Sequence, residues 1–202
     1  MSSDSIQKLK EHFERFPGIG PRQARRFVYW LLNQDDSFLE NMSGHLLALK
    51  QNTKQCPECF RFFNAAECEF CKSANRDNNF LMVVEKDSDL ESVEKSKVYA
   101  GRYFVLGDVI PLGADIPKTS RLKELFQRVA GQAAKQNIKE IILAMSATAE
   151  GDNTSRYIEK ILEPLAKKHA IKISRFGRGL STGTELEYID AETLKNAMEN
   201  RK

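Results

Sequence analysis

Four cysteines, and only four, occur in the chain: Cys56-Pro57-Glu58-Cys59, eight further residues, then Cys68-Glu69-Phe70-Cys71. Each C-x-x-C turn holds two sulfurs on one side of a tight loop, at a separation that suits one tetrahedral Zn²⁺ with bonds of about 2.3 Å. Two such knuckles fill all four positions and leave none for water or substrate, so the expected role of the metal is structural. A pair of disulfides in a secreted domain is the alternative. It fits poorly, because the rest of the chain is long and cysteine-free and its N-terminus does not resemble a secretory or transit peptide. The same features lead us to expect a cytoplasmic protein. A loop this short cannot bury a core of its own, so the metal must supply its folding energy, on the order of 10 kcal/mol.

A second chemistry is suggested by Phe16-Pro17-Gly18-Ile19-Gly20-Pro21, which cannot be helical. Two glycines permit positive φ, and Pro21 suits the first position of a helix. Gly18 and Gly20 let a backbone come close to a phosphate, and the N–H groups of the following helix point at it. Arg22, Arg25 and Arg26 add charge that holds phosphates without reading bases. The unit resembles the helix-hairpin-helix of DNA-repair proteins. A tight turn between two packed helices with a solvated basic face is the plainer reading.

A third candidate is acidic. Glu85 ends the apolar run Phe80–Val84, and Glu150-Gly151-Asp152 follows the run Ile141–Met145. If both runs are parallel strands, ligands collect at their carboxyl ends, and three carboxylates there suit Mg²⁺. Asp152 also lies directly before an expected helix, so solvated strand ends or helix caps are the competing explanation. His12, His45 and His169 are dispersed and form no motif.

The elements that must position these residues are legible from periodicity. Helices are expected over 5–15 (Ile6, Leu9, Phe13), 21–33 (Ala24, Phe27, Val28, Leu31, Leu32) and 38–50 (Leu39, Met42, Leu46, Leu47, Leu49). Beyond the cysteines, 73–79 reads as a loop, and strands are expected at 80–85, 97–106, 138–145 and 171–176. Helices are expected at 87–95 (capped by Asp87 or Ser88), 120–136 and 153–169 (kinked by Pro164), with a last one at 191–200. The β-α-β alternation predicts a parallel α/β sheet. The chain has 202 residues, 41% hydrophobic and 29% charged, which is ordinary for a soluble globular protein, and no run approaches a membrane span. Its net charge of +3 is matched by residues 1–34 alone, where Lys8, Lys10, Arg15, Arg22, Arg25 and Arg26 face Asp4, Glu11 and Glu14.

The carboxylate order resembles the Toprim domain of topoisomerases, primases and recombination proteins, which carries D-x-D where this chain has Glu150-x-Asp152. In combination, the Pro-Gly-Ile-Gly-Pro hairpin, the four-cysteine knot, the Toprim-like body and the terminal Gly183-Thr184-Glu185-Leu186-Glu187-Tyr188-Ile189-Asp190 resemble the RecR family of bacterial recombination mediators from end to end. The resemblance implies an α/β chain divided into a helix-hairpin-helix region (1–53), a four-cysteine zinc finger (54–74), a Toprim-like domain (78–176) and a C-terminal strand/helix segment (177–202) at a subunit interface. It implies a ring-shaped homotetramer that encircles single- or double-stranded DNA without sequence preference. It also implies RecO and RecF as partners in loading RecA onto single-stranded gaps, with no catalytic turnover and no membrane. The rival is a Mg²⁺-dependent Toprim nuclease or primase-like enzyme using Glu85, Glu150 and Asp152. The family usually has a histidine before a Gly-hydrophobic-Pro turn and a Gly-Gly ahead of Glu-Leu-Glu; here the run is Arg178-Gly179-Leu180-Ser181-Thr182-Gly183-Thr184. The loop 177–184 retains enough glycine to cradle a phosphate. No G-x-x-x-x-G-K-[ST] occurs to support an ATPase.

Overall fold

A computed structural model describes residues 5–135, 137–177, 179–180, 183 and 185–199, with the side chains of 192 and 199 excluded. The chain divides into two compact units, Met1–Thr53 and Lys54–Lys202. None of its described helices is long and apolar enough to cross a membrane.

The first unit contains helices α1 (Ser5–Glu14), α2 (Pro21–Leu31) and α3 (Asp36–Asn52). Its core is small: Phe13, Ala24, Val28 and Leu31 are buried, with Ile6, Ile19, Leu39 and Met42 packed beside them. The apolar stripes read from the sequence are wider than this core can cover. Phe27 and Leu32, expected inside, are 40% and 62% exposed, and α3 buries no residue at all. Asp35 starts α3 by accepting the Phe38 N–H at 2.7 Å.

The second unit opens with the two-residue strands β1 (Lys54–Gln55) and β2 (Phe62–Phe63), paired antiparallel, and the single turn α4 (Glu69–Lys72). The body follows as β3 (Asp77–Val84), α5 (Asp87–Ser96), β4 (Gly101–Val105), α6 (Leu122–Ala134), β5 (Glu140–Ala144), α7 (Ala149–His169) and β6 (Lys172–Arg175). Its four strands are all parallel, in the order β4-β3-β5-β6. Alternation along β3 sends Leu81 and Val83 to one face and Met82 and Val84 to the other. Leu81 and Val83 join Leu125 and Val129 of α6 and Ile158 and Leu162 of α7; Met82 and Val84 join Leu90 of α5. Cover on both faces explains why this strand reads as an unbroken apolar run.

Several boundaries move. The expected loop 73–79 gives way to β3 from Asp77 onward, and Asp87 is inside α5 rather than its cap: the Asp89 carboxylate accepts the Lys86 N–H at 3.0 Å. α7 starts at Ala149, four residues earlier than expected, because the Thr148 hydroxyl accepts the Gly151 N–H at 3.1 Å. It runs on past Pro164 to His169. Beyond β6, where a strand/helix segment was expected, the regular elements among the described residues are a 3₁₀ turn, Leu186–Tyr188, and α8, Ala191–Glu199.

Candidate metal centre and nucleic-acid interface

The four cysteine sulfurs converge. Their Sγ atoms all lie within 4.8 Å of one another, with Cys56–Cys71 at 3.7 Å and Cys59–Cys68 at 3.6 Å. Tetrahedral bonds of about 2.3 Å would separate sulfurs by about 3.8 Å, so the spacing fits one Zn²⁺, whereas a disulfide needs about 2.05 Å. All four are free thiols, three of them buried. The hydrogen bond between Cys59 and Cys71 pushes the Cys71 thiol down, opposed by burial and aided by the charge of Arg128, and pushes Cys59 up, while burial raises Cys68. A metal entering this cluster must displace its protons.

The cysteine loop is seated on the body by its backbone. Val105 of β4 donates its N–H to the Cys59 carbonyl at 2.8 Å, and the Asp87 carboxylate accepts the Phe62 N–H at 2.8 Å. Phe60 has φ +62°, and its ring meets Phe104 edge-on at 5.3 Å. Two arginines of the body reach into the loop. Arg102 of β4, only 9% exposed, donates to the carbonyls of Phe70 and Ser73 and to Asn78 Oδ1. Arg128 of α6 donates to the Glu58 carbonyl. Neither contact was anticipated from the sequence, because a carbonyl acceptor leaves no residue-type signature.

In the first unit, Gly18 takes φ +76°, which L side chains rarely adopt. Gly20 does not use positive φ; it is the residue before Pro21 at the start of α2 and offers no side-chain cap. A Cβ at either glycine would meet nothing within 4 Å, so the backbone there is open to an incoming group. Pro21 has no N–H, and those of Arg22 and Gln23 have no acceptor within the helix. No acid occupies the first turn of α2. Arg22, Arg25 and Arg26 are exposed, and none pairs with a carboxylate among the described residues. This arrangement can hold phosphate.

The three expected acids have different surroundings. Glu85, 5% exposed, accepts from Ser146 twice, from the backbone N–H at 2.6 Å and the hydroxyl at 2.9 Å. Glu150 and Asp152 fall in the first turn of α7, rather than in a loop beyond β5. Among the described residues, only the cysteines form a group with donor atoms close enough to hold one ion. Asp152 instead lines a cleft of about 940 Å³ with Arg156, Arg175, Asp190 and Thr193. Arg175 is already bound to Glu159, at 2.6 and 2.5 Å. Gly177 and Gly179 of the expected phosphate-cradling loop also line it, while Arg178, Ser181, Thr182 and Thr184 lie outside the described residues.

Three family models match the chain. The family model for the RecR helix-hairpin-helix matches residues 6–49, the Toprim domain matches 79–177, and the RecR C-terminal model matches 179–202. A protein of Prochlorococcus marinus (strain MIT 9312) is 40% identical over 97% of this chain and 94% of its own length. One from Synechococcus sp. (strain CC9605) is 39% identical over 98% and 99%, and one from Bdellovibrio bacteriovorus is 36% identical over 98% and 96%. Each is described as "Recombination protein RecR".

Proposed function

Because the chain belongs to the RecR family of recombination proteins, we propose that it is a recombination mediator that grips DNA without transforming it. The observation that carries this reading is the α1–α2 hairpin: two glycines with open backbone, an uncapped helix start and three exposed arginines free of carboxylate partners among the described residues. In this reading Gly18 and Gly20 admit a phosphate to the first turn of α2, while Arg22, Arg25 and Arg26 hold neighbouring phosphates on single- or double-stranded DNA. The protein works as a homotetramer with RecO and RecF to place RecA on single-stranded gaps. Cys56, Cys59, Cys68 and Cys71 bind a structural Zn²⁺, for which their donor set and spacing speak. Glu85 acts as a structural carboxylate, and Glu150 and Asp152 meet a basic partner or Mg²⁺.

The test is an anisotropy titration of labelled single-stranded and duplex DNA of several sequences across a salt series, with solution mass measured by light scattering with and without DNA. Affinity should be sequence-independent and fall steeply with salt, and the mass should be that of four chains. A chain indifferent to DNA at low salt in every oligomeric form would overturn the reading.

A further inference from the structure

The third residue of each C-x-x-C knuckle presents its carbonyl to an arginine from outside the loop. Glu58, just before Cys59, accepts from Arg128; Phe70, just before Cys71, accepts from Arg102. We propose that Arg102 and Arg128 are positioning residues for the metal, one per knuckle, and supply the positive charge that a four-thiolate site needs. This rests on reading the cysteine cluster as a metal site.

The argument is one of charge. A divalent ion with four thiolates carries a net charge of −2, and here Cys56, Cys59 and Cys68 are 2%, 0% and 5% exposed. Charge that is so desolvated must be compensated nearby. Of the arginines around the loop, two are already neutralised, Arg61 by Glu69 at 3.0 Å and Arg76 by Glu94 at 2.6 Å, each stacked on the Phe70 ring; Arg121 lies over the Phe60 ring and donates to the Val105 carbonyl, not to a knuckle. Arg102 and Arg128 have no carboxylate partner among the described residues. For Arg102, 9% exposed and bonded only to neutral oxygens, that would be a costly burial in isolation. A doubly negative metal centre beside the carbonyls it holds supplies the missing counter-charge. Arg102 and Arg128 are the cations bonded to the knuckles themselves, where they offset the dianionic site, and the carbonyl bonds fix where the knuckles stand.

The experiment uses the full chain. Metal content of the purified protein comes first: one zinc per chain is expected, and a chain without bound metal would overturn the underlying metal reading rather than the arginine assignment. Zinc transfer to an excess of a chromophoric chelator is then timed for wild type, Arg128→Gln, Arg128→Lys and Arg102→Lys. Arg128→Gln should release zinc at least tenfold faster, Arg128→Lys should recover part of that difference, and Arg102→Lys should be faster than wild type. Leu162→Ala, which weakens the body far from the loop, should not accelerate release comparably. In cobalt-substituted protein, the thiolate-to-cobalt absorption of Arg128→Gln should shift relative to wild type. Release within twofold of wild type for both Arg128→Gln and Arg102→Lys, acceleration by Leu162→Ala equal to theirs, or an unshifted cobalt spectrum would each overturn the proposal. If Arg102→Lys fails to fold, the half-buried Arg128 still decides the matter.

Discussion

Glu85, at the end of β3, and Ser146, just beyond β5, are clasped by two hydrogen bonds of 2.6 and 2.9 Å, with the carboxylate accepting both. A buried carboxylate so engaged belongs to the framework of the site. Ser146→Ala should therefore cost about 1–3 kcal/mol, the usual penalty for under-satisfying a buried charged acceptor, read as a lower urea midpoint with unchanged slope. Wild-type protein should leave gapped DNA intact in Mg²⁺; cleavage that Glu85→Gln abolishes would turn the assignment from binder to enzyme.

Gly151 tests the same clasp from the other side. A Cβ there would lie 2.1 Å from the Ser146 carbonyl oxygen, so the start of α7 must back away from Ser146. Gly151→Ala is expected to destabilise by about 1–3 kcal/mol despite improving helix propensity, which thermal melting would reveal as a lower Tm.

Replacing Arg22 and Arg26 together by alanine should weaken DNA binding equally on all sequences and leave the melting curve unchanged, since both are exposed. The slope of log affinity against log salt should fall by about 1.8 on duplex and about 1.4 on single strands, two phosphate contacts being lost. An unaltered slope would remove these arginines from the interface.

Cys56→Ser and Cys71→Ser each leave an incomplete metal site. With the loop seated on Val105 and Phe104, the loss should reach the body and lower Tm by at least about 10 °C, together with metal content. A variant that keeps both would refute the structural role.

Glu94 provides a pH signature. Burial raises its pKa, but the hydrogen bond and charge of Arg76 prevail and hold it below the ordinary 4.5. A depressed folded-state pKa stabilises above the unfolded value, and that contribution is lost as pH falls through the folded one. The Tm advantage of wild type over Glu94→Gln should thus be full near neutrality and shrink as pH drops below about 4.5. A gap that stays constant through acid would show that Arg76 does not hold Glu94.

The sequence made some of these relationships readable and hid others for identifiable reasons. Cysteine spacing and the glycine–proline hairpin are local chemistry, so they survive translation into structure. Likewise the continuous run in β3 announces a strand covered on both faces. The start of α7 was hidden because its third residue is glycine, a helix-weakening type whose real purpose is clearance from Ser146. The Glu85–Ser146 bond joins residues 61 apart, and no periodicity reports a hydroxyl's partner. Phe27 and Leu32 followed the helical stripe yet remain exposed, because their unit has too few buried neighbours to cover them.

The bond from Val105 N–H to the Cys59 carbonyl has one more consequence. β4 is the outermost strand on its side of the sheet, and the Val105 amide and carbonyl, taken up by Cys59 and Arg121, are groups that would otherwise be offered to any passing chain. The cysteine loop and Arg121 thus close one residue of this sheet edge. With the cysteines holding the proposed Zn²⁺, chelation should loosen the loop and free this edge for self-association, which turbidity would report.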